Sequence, residues 1–189
     1  MQLNDRNEIV DEIDRLITSV YRRRYNDPWK HGPERAVYYD NLFRERLSEW
    51  PFRNQTDLIY GSSTVIAFLL HPGHYIGVPT RDGLEVLIRR LGGQCYHSLV
   101  EISHLGPYAR VRFTRDSIDG ETGRLIYEEQ DKPFRVEDLD FISSLRNILT
   151  EEGIIILRPE ILQRVVTDVE LSVTGLGSAT IYHCLFAEE

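Results

Sequence analysis

The sequence predicts an α+β fold, with an N-terminal helical pair packed on a mixed, mostly antiparallel sheet and two or three further helices. Three observations predict it. Apolar residues recur at three- and four-residue spacing over 5–24 and again over 33–50. From about residue 57 the chain changes to short apolar, β-branched segments punctuated by Gly and Pro. Helical periods return later, at 82–91 and 137–150. No linker, repeat or low-complexity tract divides the 189 residues. One domain is expected over 1–189, with a helical part at 1–55 and a mixed α/β part at 56–189.

Each element has a local reason. In the first helix Asp5 and Glu8 form a capping-box pattern, and Ile9, Ile13, Leu16, Ile17 and Val20 share a face. Arg22, Arg23 and Arg24 sit where the helix dipole favours cations, and Asn26-Asp27-Pro28 ends the run. Pro33 opens the second helix, Ala36, Tyr39, Phe43, Leu47 and Trp50 line it, and Pro51 stops it. Segments 64–70 and 75–78 flank His71-Pro72-Gly73-His74, a type II turn signal, so a hairpin is expected there. A short helix at 62–70 is the alternative, because an apolar run alone does not separate the two.

Leu84, Leu87, Ile88 and Leu91 then give a one-sided helix closed by Gly92-Gly93. Segments 97–103, 108–114 and 124–128 read as an antiparallel meander with one wet face, turning at Leu105-Gly106-Pro107 and Asp119-Gly120. Leu139, Ile142, Leu145 and Leu149 mark a helix over 137–150, ended by Gly153. A short interior strand is expected at 154–157 and a helical turn or two from Pro159. A loop follows at 174–178, then a paired terminal strand at 179–186.

Composition bounds the function. The net charge of −8 lies wholly in the last third. Residues 121–189 carry 6 basic and 14 acidic side chains, whereas 1–60 carry 10 and 11 and 61–120 carry 6 and 5. An acidic face repels phosphate backbones and attracts cationic surfaces, so a nucleic-acid partner is not expected. The longest apolar run, Val65–Leu70, falls far short of the roughly 20 residues of a membrane span. No basic segment followed by an apolar one opens the chain, so the expected location is cytoplasmic. Cys95 and Cys184 are then two separate buried thiols. Twenty of the 22 basic residues are Arg, the side chain suited to bidentate carboxylate pairing.

Candidate chemistry is sparse. His71 and His74 flank a tight turn and, with His97, Glu101 and His104, form the first candidate catalytic or metal-binding set. Strand alternation puts His97 and Glu101 on one side and His104 on the other. Cys184 beside His183, with Cys95 and His97 elsewhere, invites a thiol-nucleophile reading. Strand neighbours point to opposite faces, however, so His183 cannot directly activate Cys184 and a buried thiol is the expectation. Asp116, Asp119 and Glu121 lack the ligand spacing of a calcium loop. Gly175-Leu176-Gly177-Ser178 precedes an expected strand rather than the helix a phosphate cradle needs. No cofactor is expected.

The aromatic residues of the N-terminal part (Tyr21, Tyr25, Trp29, Tyr38, Tyr39, Phe43, Trp50, Phe52) interleave with arginines. They suit packing onto the sheet, a protein interface or homo-oligomerisation. The run Glu128, Glu129, Asp131, Glu137, Asp138 and Asp140 puts six acids in thirteen residues. The expected function is therefore non-catalytic binding of a protein partner with a basic patch through this acidic surface. Size, acidity and α+β order are shared with many small inhibitors, including immunity proteins that neutralise basic toxins. That likeness is one of type and transfers no residues. The alternative is a small hydrolase-like or metal-dependent enzyme with a His/Glu-lined cleft.

Overall fold

The computed structural model describes residues 3–22, 32–57, 62–74, 81–171, 174 and 176–186. Helices packed on a six-stranded, mostly antiparallel sheet give the α+β architecture. The strands β1 (Phe52–Asn54), β2 (Ser63–Leu69), β3 (Gln94–Ser103), β4 (Tyr108–Ile118) and β5 (Leu125–Gln130) lie side by side in that order. A two-residue strand, β6 (Ile155–Ile156), pairs parallel to β4 at Tyr108 and Ala109. None of the described helices is long and apolar enough to cross a membrane.

Strand alternation gives the sheet two unlike faces. On one, Ile66, Phe68, Val100, Ile102, Ala109 and Phe113 form a core with α2 (Gly32–Arg46) and α4 (Leu139–Glu151). Phe68 is fully buried at its centre, with ring centroids 5.4 Å from Phe43, 5.1 Å from Phe52 and 5.0 Å from Phe141. Most of the expected N-terminal aromatics that fall in described residues are thus spent on packing. On the other face, α3 (Arg81–Arg90) covers one end, where Leu69, Ile88 and Cys95 are buried together. Helix α6 (Ile181–Phe186) covers the opposite end, where the Ser63 hydroxyl donates to the Phe186 carbonyl at 3.2 Å. Between α3 and α6 the face is polar.

A second apolar cluster joins the two ends of the chain. Val10, Ile13 and Ile17 of α1 (Leu3–Ile17) meet Leu157, Leu162, Ile181 and Leu185, with Ile161 of α5 (Pro159–Leu162) among them. The first helix was expected to run regularly to residue 24. Instead it widens into a π-helical turn at Thr18–Arg22, within which the Tyr21 hydroxyl donates to the Cys184 carbonyl at 2.7 Å. Arg23, Arg24 and the Asn26-Asp27-Pro28 stop lie outside the described residues.

The terminal strand expected at 179–186 is a helix. Its buried positions Ile181, Cys184 and Leu185 follow helical spacing, and strand character survives only in a bridge between Val165 and Thr180. Thr180 acts as the cap: its hydroxyl accepts the His183 N–H at 3.4 Å, and its carbonyl accepts the Cys184 N–H at 3.0 Å. The type II turn at His71–His74 forms as expected, with Gly73 at φ 76° and the His74 N–H donating to the His71 carbonyl at 3.2 Å. Segment 64–70 is strand β2, but its neighbours are β1 and β3, and segment 75–78 lies outside the described residues.

Removing the Phe68 ring leaves a cavity that three other rings cannot close. Phe68→Ala is expected to cost about 3–5 kcal/mol in urea unfolding. Val86→Ala, at an exposed position of α3, is expected to stay within about 0.5 kcal/mol of wild type.

Candidate functional site

Strand β4 organises both faces because its outer edge has two different partners. Strand β5 pairs antiparallel with Phe113–Ile118, and β6 pairs parallel with Tyr108 and Ala109. Residues 110–112 have no strand partner on that edge among the described residues. A cleft of about 620 Å³ opens at this break. Its floor is apolar, from Val111 and Phe113 of β4, Ile142 and Leu145 of α4, and Ile154 and Ile156 around β6.

The rim of the cleft is charged. Lys132 comes from the loop after β5, Arg146 from the exposed side of α4, and Arg158 from the residue before Pro159, where α5 begins. Asp131 is the one carboxylate in the lining. Arg110 also reaches the rim, but its guanidinium is held by Glu101 at 3.4 Å and Glu129 at 3.2 Å. Sequence reasoning missed this site. Its trace was there to read: three of the six basic residues in the acidic last third line one cleft.

The wet face holds a network of charges. Glu101 is almost fully buried on β3, yet it is compensated. Arg110 and Arg112 approach one oxygen at 3.4 Å each, and the Tyr182 hydroxyl donates to the other at 3.2 Å. Arg112 also donates to Glu129 at 2.7 Å, and so does the Tyr127 hydroxyl. Burial tends to lower the Arg112 pKa, but Glu101 and Glu129 outweigh it and raise the value. The Arg110 guanidinium lies 4.8 Å over the Tyr182 ring. Every charge named here faces an opposite one, which describes a structural network rather than a reactive one.

The five candidate catalytic residues form no single site: His71, His74 and His97 gather near the start of β3, Glu101 lies further along it and His104 beyond its end. His71 and His74 lie near each other, with ring centroids 6.0 Å apart. However, His71 Nε2 accepts the Tyr96 N–H at 3.3 Å, and His74 Nδ1 meets the Pro72 carbonyl at 3.2 Å. His97 sits beside Asp116, and Glu101 lies four residues further along β3, about 13 Å away. His104 is buried past the strand end, where its Nε2 meets the Thr64 hydroxyl at 3.0 Å. Gly32 packs so closely on that imidazole that a Cβ there would stand 2.9 Å from it. No group of three or more metal-ligating side chains occurs among the described residues.

One array does have nucleophile geometry. Cys95 Sγ lies 3.6 Å from His97 Nε2, and His97 Nδ1 lies 3.3 Å from Asp116 Oδ2. The sulfur is fully buried beneath α3, and burial, followed by the Asp116 charge, pushes its pKa up to about 12. This thiol is protonated and closed to substrate. Cys184 is fully buried as well.

The acidic run is largely met by arginine. Glu128 pairs with Arg115, Glu129 with Arg110 and Arg112, and Asp138 with Arg135 at 2.6 Å. Glu137 lies 3.7 Å from Arg135. Asp138 is buried and cannot face a partner. Asp131 and Asp140 are exposed and make no salt bridge among the described residues. At Asp119 the carboxylate accepts the N–H groups of Glu121 at 3.0 Å and Thr122 at 2.6 Å, so it is spent on the turn.

No family model matches the chain, and no curated protein or solved structure matches it either.

Two predictions follow from the buried groups. In native protein at pH 8 neither cysteine is expected to react with a thiol-specific disulfide reagent within minutes, whereas both react once denaturant unfolds the chain. Burial, with the Arg135 charge second, pushes His71 down to about 4, below the roughly 6.5 of an unfolded chain. Between those values the unfolded chain binds a proton that the native imidazole refuses, so stability falls as pH drops through this window. Urea midpoints at pH 6.5 and 5 are expected to differ less in His71→Gln than in wild type.

Proposed function

We propose that this protein acts by binding rather than by catalysis, and that its ligand seat is the cleft at the break in the outer edge of β4. The observation that carries this reading is the union of an apolar floor and a cationic rim around about 620 Å³. Small-molecule sites are commonly concave, of roughly 300–1,000 Å³, and mostly apolar with a few placed polar groups. The enzyme reading has less support, because its five candidate residues are dispersed and the Cys95–His97–Asp116 array is closed. An acidic surface docking a basic protein partner also has less support. Four of its six carboxylates have an arginine within salt-bridge distance, so little uncompensated charge remains to steer a partner. Two buried thiols agree with a reducing, cytoplasmic setting.

Titration with 8-anilinonaphthalene-1-sulfonate, an apolar fluorophore carrying one negative charge, tests the reading. Saturable fluorescence enhancement is expected for wild type. Thr150→Trp, at an exposed position in the cleft wall, is expected to weaken it about tenfold or more while leaving the circular dichroism unchanged. Equal binding by both proteins, or none by wild type, rejects the cleft as the seat.

A further inference from the structure

Resting on that reading of the cleft, we propose that its ligand is a small amphipathic carboxylate, with an apolar body on the Ile142–Ile154–Ile156 floor and one negative head at the Lys132–Arg146–Arg158 rim. The sign of the rim is the first argument. These three side chains are exposed and make no salt bridge among the described residues. Of the other described arginines, Arg110, Arg112, Arg115, Arg135 and Arg164 lie within 4.0 Å of a carboxylate, whereas others, Arg53, Arg89, Arg90 and Arg124 among them, make no salt bridge either. What sets the rim apart is convergence: its three cations line one apolar-floored concavity with a single carboxylate, and there an outside anion completes the pairing.

The number of charges is the second argument. With Arg110 balanced by Glu101 and Glu129, the three rim cations stand against Asp131 alone. That surplus accommodates one negative charge comfortably. The net charge of −8 offsets part of the rim's pull on any anion, so the surplus is assigned to a singly charged head. A planar carboxylate also matches the guanidinium fork, which donates two parallel hydrogen bonds to its oxygens.

The shape of the ligand follows from the floor and the gap. Val111, Ile142, Ile154 and Ile156 offer no hydrogen-bonding side chains, so the body they contact is apolar. The unpartnered stretch of β4 is three residues, about 10 Å, closed at one end by β5 and at the other by β6. A peptide strand adding to this edge would have no room for a ladder, which favours a compact molecule.

Isothermal titration of the whole protein with decanoate tests the assignment, with decan-1-ol and decyl phosphate as matched chains bearing a neutral and a dianionic head. Decanoate is expected to bind about tenfold or more tightly than either. The double variant Arg146→Gln/Arg158→Gln is expected to lose that preference while still binding decan-1-ol like wild type. Equal affinity for decanoate and decan-1-ol overturns the charge recognition, and tighter binding of decyl phosphate assigns the rim to phosphate instead. If decanoate fails to bind while the anilinonaphthalene sulfonate still fills the cleft and Thr150→Trp still blocks it, the carboxylate assignment falls and the cleft stands. If neither probe binds, the cleft reading itself falls.

Discussion

The hydrogen-bonding edge of β4 governs this molecule. An antiparallel neighbour and a parallel neighbour demand different bond directions and spacings, so they cannot merge into one continuous ladder. Here β5 takes the far part of the edge after a tight turn, while β6 returns through α4 and takes the near part. Among the described residues no strand fills the interval between them. The helix that makes the return passes over that interval and walls it, which turns a missing pair of ladder bonds into a cleft with an apolar base.

The same strand decides where the charges go. Register sets Glu101 directly opposite Arg110 and Glu128 directly opposite Arg115. Glu128 and Glu129 are neighbours in sequence, so they project to opposite faces, and each finds arginines on its own side. An acidic tract that looks like one surface in linear order is divided by the pleat into two locally balanced sets. The cations of the cleft rim escape this balance because they come from a loop, a helix flank and a helix start, where no cross-strand carboxylate faces them.

Burial accounts for the silence of the remaining chemistry. Cys95, His97 and Asp116 stand at workable distances, since positions 95 and 97 share a face and Asp116 is the register partner of Cys95. Yet α3 packs Ile88 and its neighbours over the sulfur. Desolvation then disfavours the thiolate, and the neighbouring carboxylate disfavours it further. Geometry alone would suggest a nucleophile, but the dielectric surroundings make the group an inert part of a small core. His104 fares similarly, wedged between Thr64 and the start of α2.

Much of the fold was legible in linear order because its signals are local. The 3.6-residue period of α1 and α4, the alternation of β4 and the Pro72-Gly73 turn each act within a few residues. The six-residue segment at 181–186 was misjudged because an apolar run that short fits either period, and a Thr180 cap, visible only once the turn is built, decides for helix. The candidate site left only a trace in linear order, the few basic residues of an acidic third. Its walls come from 110–113, 131–133, 142–150 and 154–162, stretches with no shared period or motif. What joins them is the landing point of β6 on β4, a long-range pairing that no neighbouring residues encode. The amino-acid order set the faces of helices and strands, because those depend on nearest neighbours. The choice of strand edges, the matching of acids to arginines and the cleft itself belong to the folded chain, because each depends on residues meeting from far apart.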